Sequence, residues 1–178
     1  MHVMLDLETM GNTPDAPIVA IGACRFDKNG VSWDTFYRKI TLQSSVDAGA
    51  KIDASTVLWW LQQEAEARAE LYSGDFVDEW DALCDFANWI NVHGDVDGIW
   101  GNGAAFDNVI LAQGFRRHRQ NAPWPFWKDR CYRTIKSLSD VEMKREGTHH
   151  NALDDAISQA KHLIAIWASS KTDTPNDN

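Results

Sequence analysis

The chain predicts an α/β fold, a mixed central sheet with helices on both faces. Two observations carry this. Three apolar, β-branched runs fill the first forty residues, and after them amphipathic helical stretches alternate with one further short strand. The 178 residues suit one domain with a substantial core, and no internal repeat divides them.

The elements follow in order. Val3 to Leu7 is a buried strand, and Ile18 to Phe26 a second. Asp27-Lys28-Asn29-Gly30 is a hairpin turn of the Asn-Gly type, which makes Val31 to Ile40 an antiparallel third strand. Helices are predicted over Ser55–Tyr72 and Asp78–Val92, the second with a buried stripe of Trp80, Leu83, Ala87 and Ile90. Gly98 to Asn102 reads as a short central strand, Asn108 to Arg119 as a helix, and Ala122-Pro123-Trp124-Pro125 as a loop. In the last helix, Ala152 to about Trp167, a stripe runs through Leu153, Ala156, Ile157, Ala160, Leu163, Ile164 and Trp167. Asp155 falls off that stripe, as suits a residue aimed at a cleft. Ser169 to Asn178 carry no apolar side chain and read as a disordered tail after a domain spanning residues 1–168.

Composition excludes several classes. There is no apolar run near the length of a membrane span, and Asp6 and Glu8 interrupt the N-terminal apolar run, so no signal peptide is expected. Cys24, Cys84 and Cys131 are scattered without metal-ligand spacing, as expected for free thiols in a reducing cytoplasm. The net charge of −9 argues against a tight grip on long duplex nucleic acid, which takes basic patches.

The chemistry sits in three short motifs. Asp6 and Glu8 share one side of the first strand, since side chains alternate with a period of two. Their Cα atoms are then roughly 6.6 Å apart. Two like charges side by side in an apolar run are costly, and divalent cations compensate most simply, one or two of them about 3.5–4 Å apart. Taken alone, an Asp-x-Glu strand is more often an edge strand with a solvated face. Phe106-Asp107 alone is more often a helix start. The third motif, His150-Asn151-Ala152-Leu153-Asp154-Asp155-Ala156, is stronger, and the ordered set points to a two-metal phosphodiesterase. No basic residue falls inside the motifs. Asn151 is a good N-cap, and Asp154 can answer it or complement the helix dipole.

These motifs resemble those of the DnaQ-like 3′-5′ exonucleases, the DEDD group in its histidine variant. That group carries Asp-x-Glu, a Phe-Asp that opens a helix, and His-x-Ala-x-x-Asp-Ala. The resemblance covers about residues 1–168. The stretch Leu5 to Asn12 with Ala16 to Ala23 is similar to the small bacterial, prophage and phage branch related to the mycobacterial 3′-5′ exoribonuclease. The resemblance implies the ribonuclease H-like fold, with the carboxylates gathered at the end of the first strand. It implies two Mg²⁺ or Mn²⁺ ions held by Asp6, Glu8, Asp107 and Asp155, with His150 as general base. The family's five-residue spacing pairs His150 with Asp155, which leaves His149 as a solvated loop residue. The terminal sugar and base would meet Leu7, Thr9, Met10, Trp60 and Phe106, where one of Trp59 and Trp60 is core and the other free to stack on a base. Arg130 and Arg133 are candidates for phosphate contact, with surface ion pairing as the alternative.

The implied activity is 3′-5′ hydrolysis of single-stranded ends to nucleoside 5′-monophosphates, with RNA slightly favoured over DNA. A catalytically silent nucleic-acid-binding module is the competing reading, but none of the five residues is missing. A polymerase-associated proofreading role and a homodimer are both compatible with the sequence.

Overall fold

The computed structural model describes residues 1–170 except His93 and Ala104. Its sheet has six strands in the order β4-β3-β2-β1-β5-β6. Strand β1 (His2–Thr9) lies centrally, antiparallel to β2 (Ile18–Asp27) and parallel to β5 (Ile99–Gly101). Strand β3 (Gly30–Ile40) pairs antiparallel with β2. The helices are α1 (Leu42–Asp47), α2 (Ala54–Leu61), α3 (Ala65–Ala69), α4 (Glu79–Asn91), α5 (Asp107–Arg117), α6 (Tyr132–Lys136) and α7 (Ala152–Ser169). Both faces of β1 are buried because helices cover both. Val3, Leu5 and Leu7 join the cluster under α4 and α5 with Leu83, Phe86, Ile110 and Phe115. Met4 joins Cys24, Phe26, Ala156, Ala160 and Leu163 under α7.

Several expectations need correction. The edge strands β4 (Phe76–Val77) and β6 (Asp129–Cys131) were not anticipated, nor were α1 and α6. These are short pieces held by parallel pairing to β3 and β5, with too few residues to show a period. The helix expected over 55–72 is two helices. At the break the Arg68 Nη1 donates to the Leu61 carbonyl at 3.1 Å, satisfying an end that helix propensity alone would have continued. In α4 the buried line is Glu79, Ala82, Leu83, Phe86 and Ile90. Trp80 is outside it and packs against the His118 ring. In the hairpin, Asp27 pairs with Gly30, so the loop residues are Lys28 and Asn29. The positive φ falls on Gly30, and the Asp27 carboxylate accepts the Asn29 N–H at 2.7 Å. The tail expected from Ser169 starts later, since Ser169 ends α7 and Ser170 caps it. Residues 171–178 lie outside the described residues.

Two glycines bring the motif-bearing helices onto the sheet. Gly22 pairs with Asp6, and a Cβ there would overlap the backbone of Ala152 and Leu153. The first turn of α7 therefore rests directly on β2, beside Asp6. At Gly101 a Cβ would stand 3.0 Å from the Asp107 Cβ and collide with Asn108, so glycine again permits the start of α5 to close on the sheet.

Candidate active site

Oxygen atoms of Asp6, Glu8 and Asp155 all lie within 4.8 Å of one another, and all three side chains are buried. The strand period places the first two together, and the contact of α7 at Gly22 brings the third. Asp107 stands differently. It is 1% exposed, and its two oxygens accept the backbone N–H of Leu7 at 3.1 Å and of Asn102 at 2.7 Å. Among the described residues, that carboxylate triad leaves Asp107 outside it, and His149, His150 and Asp155 form a second group within the same distance.

Each carboxylate is supported, but unequally. Gln159, one turn beyond Asp155 on α7, donates Nε2 to Asp6 Oδ1 at 2.7 Å. Asp155 accepts the His150 backbone N–H at 3.1 Å and forms an ion pair with Arg145 at 2.6 Å. Glu8 Oε1 is buried and has no hydrogen-bond partner among the described residues. Burial, reinforced by the charges of Asp107 and Asp155, holds Asp6 well above the usual carboxylate range. Burial and the Asp6 charge do the same to Glu8. Burial also lifts Asp107, to about 6, although three backbone amides and the Arg133 charge oppose it. Burial outweighs the nearby charges of Arg145 and Arg133 at these groups, and an orphaned buried carboxylate oxygen among hard oxygen donors suits Mg²⁺ or Mn²⁺.

The third motif forms as the sequence indicates. Asn151 caps α7, its side-chain oxygen accepting from Leu153 N at 3.1 Å and Asp154 N at 3.2 Å. Its Nδ2 donates to the Tyr37 hydroxyl at 3.2 Å, and that hydroxyl donates to Glu70 at 2.6 Å. Asp154 faces away from the triad and accepts the Thr148 N–H at 2.8 Å. His150 sits just before the cap at φ 64°, a left-handed conformation that costs a residue other than glycine about 1 kcal/mol or more. This conformation aims its N–H at Asp155 while its ring packs edge-on to Trp59 and Trp60, centroids at 5.0 and 5.8 Å. Burial and the neighbouring His149 hold the His150 pKa below 6.5, against the raising influence of Asp155. The ring is thus neutral at neutral pH and able to accept a proton. His149 is exposed, stacked on His150 with centroids at 3.8 Å, and also borders the cleft.

The cleft over the triad has a volume of about 360 Å³. Its walls include Leu7, Thr9, Trp59, Phe106, Asn102 and Thr56. Trp60 is 3% exposed and donates its indole N–H to the Thr9 carbonyl, so it is the core member of the tryptophan pair. Trp60 nevertheless lines the cleft, as expected, and Trp59, 42% exposed, lines it with the freer face. Met10 packs with Val19, Trp60 and Ala67 and does not line the cleft. Arg145 and Gln159 were missed. Arg145 lies in an irregular segment ten residues before its partner. Gln159 was findable, since it lies four residues after Asp155 on one helix face. A larger cavity of about 730 Å³ follows the flank of α5, but its one acid, Asp129, is already hydrogen-bonded to Asn108 and Trp124.

Comparison with known proteins gives the chain relatives in sequence and in fold. Residues 1–167 match the Rv2179c-like 3′-5′ exoribonuclease domain. Over 156 residues the chain is 29% identical to an exodeoxyribonuclease of phage T4, spanning 74% of this chain and 68% of that protein. Among solved structures, the nuclease domain of 3′hExo, a DEDDh family member bound to rAMP, superposes with a TM-score of 0.63 at 14% identity. That match covers 94% of this chain and 92% of the other. A full-length 3′-exonuclease gives 0.58 at 13% identity, covering 95% and 82%. At such identities the structural likeness speaks for the fold. Among the described residues no helix is long and apolar enough to cross a membrane.

Proposed function

Because the chain belongs to the Rv2179c-like 3′-5′ exoribonuclease domain family, we propose that this 3′-5′ exonuclease removes nucleoside 5′-monophosphates one at a time from single-stranded 3′ ends. RNA is slightly favoured over DNA, and the reaction follows a two-metal mechanism. The observation that carries the reading is the convergence of Asp6, Glu8 and Asp155 within 4.8 Å, with an unpartnered Glu8 oxygen among them.

Asp6, Glu8 and Asp155 would hold one divalent ion, and Asp6 with Asp107 would hold a second. Bound ions of this kind lower the pKa of water and offset charge on the reacting phosphate and the leaving oxygen. The chain's own residues do the rest. His150 takes the proton of the attacking water on a ring nitrogen that its depressed pKa keeps free. The Asp155 carboxylate fixes the loop that carries the histidine through the His150 N–H. Phe106 and the open face of Trp59 offer surfaces for the terminal base. Thr9 sits at the rim, its hydroxyl donating to the Gly11 carbonyl at 2.7 Å, which orients the turn that meets the sugar.

The test is digestion of a 5′-labelled single strand, as RNA and as DNA, with Mg²⁺ or Mn²⁺ and again in excess chelator. A descending ladder with metal, persistence of the blunt duplex, and resistance of circular strands are expected. Full activity in chelator, or equal attack on circles, would sink the reading.

A further inference from the structure

The cleft over the triad opens sideways in two directions. One extension, about 220 Å³, shares His149 and His150 with the cleft and is lined by Gln63, Glu64, Glu66, Ala67 and Thr148. The other, about 610 Å³, shares Phe106 and Arg133 with it and continues past Gly103, Cys131, Thr134 and Ser137. The first carries two carboxylates. The second carries none, and two hydroxyl side chains line it beyond the arginine.

Eight of the sixteen lysines and arginines among the described residues are ion-paired to carboxylates, Arg25, Arg38, Arg117 and Arg145 among them. The Arg133 guanidinium is exposed and, among the described residues, has neither an ion pair nor a hydrogen bond. The guanidinium lies beside the Gly103 backbone, where a Cβ would stand 3.9 Å from the Arg133 Cζ, in ordinary contact. A strand anchored at the triad must leave the cleft one way. A polyanion is repelled by Glu64 and Glu66 and attracted by a guanidinium that, among the described residues, no carboxylate holds in an ion pair, although its charge also acts on Asp107.

We infer that the Arg133 groove carries the strand on the 5′ side of the scissile bond, with Arg133 binding the phosphate next upstream of that bond. This rests on the exonuclease reading above and extends it to a second nucleotide subsite. Thr134 and Ser137 add neutral hydrogen-bonding groups along the same path.

The test compares TpT with TpTpT, or UpU with UpUpU. Within each pair the terminal nucleotide, the scissile phosphate and the leaving nucleoside are shared, but only the trinucleotide has the upstream phosphate. Wild type should prefer the trinucleotide in kcat/KM. Arg133→Gln should cut that preference about tenfold and Arg133→Glu further, with Arg133→Lys retaining most of it. For the trinucleotide, the slope of log(kcat/KM) against log[salt] should become shallower by about 0.7 in Arg133→Gln, the value for one phosphate contact on a single strand. Equal losses on both lengths would overturn the inference. So would a preference that responds to Glu64→Gln with Glu66→Gln and ignores Arg133. If wild type cleaves neither length, the exonuclease reading itself has failed and this inference with it.

Discussion

Raising the pH should destabilise the metal-free protein through its own active site. Asp107 ionises in the folded chain at about 6, against 3.8 for a free aspartate. A carboxyl whose folded pKa is raised contributes stability in full below the unfolded value, and that stability is lost as pH rises through the folded value. The window for Asp107 therefore runs from about 4 to somewhat above 6. At about 1.4 kcal/mol per pH unit, its contribution is about 3 kcal/mol. Asp6 and Glu8 are raised in the same direction and add to it. For a chain of this length each kcal/mol moves the melting temperature by roughly 2–4 °C, so the fall from Asp107 alone is about 6–12 °C. The assay is thermal unfolding in chelator across that range, for wild type and for Asp6→Asn/Glu8→Gln/Asp107→Asn. The variant carries every other titration of the protein, so the difference between the two curves isolates the site. Excess Mn²⁺ should restore wild type, and more so at high pH, because the ion competes with protons for the same oxygens. Parallel curves for the two proteins in chelator would refute the reasoning.

Two further outcomes follow from the motif geometry. His150→Ala should lower turnover by about 10²–10⁴-fold and remove the acidic limb of the pH–rate profile, which in wild type lies below 6.5, while His149→Ala changes turnover only a few-fold; the reverse ranking would reassign the base. Gly22→Ala should force α7 off the sheet at a cost near or above roughly 3 kcal/mol, with loss of activity, and an unchanged melting temperature and turnover would show that α7 does not rest on β2.

The site was legible where chemistry follows a local period. Asp6 and Glu8 fall together because strand side chains alternate. Asn151 announces the start of α7, and Asp155 then follows in its first turn. Residues whose role depends on a distant partner were not legible. Gly22 matters because of its register opposite Asp6, and only the signal of a glycine inside an apolar strand hinted at a close approach. The same holds for β4 and β6, where pairing with β3 and β5 makes strands of two and three residues. Trp59 and Trp60 are adjacent on one helix, and their order could not be read until Thr9 claimed the Trp60 indole. The apolar stripe of α7 was read correctly for Ala156, Ala160 and Leu163. It hid a second buried line of Asp155, Gln159 and His162, which the core and the site share.

That second line explains how a small core tolerates four buried acids. Asp107 and Asp155 lie in the first turns of α5 and α7, where the helix dipole favours negative charge. Backbone amides serve Asp107, while Arg145 and the His150 N–H serve Asp155. Gln159 serves Asp6, and one turn further His162 ties α7 to Tyr132 and to the Val141 carbonyl. The loop bearing Arg145 and His150 is thereby fastened to the helix bearing Asp155. Of the four acids, Glu8 alone is left with a buried oxygen that no described residue answers. Support of this kind is enough to fold the domain, but it leaves the repulsion among Asp6, Glu8 and Asp155 uncancelled. Filling it with apolar packing would stabilise the fold, so the remaining frustration is what a divalent cation would relieve under the function proposed above.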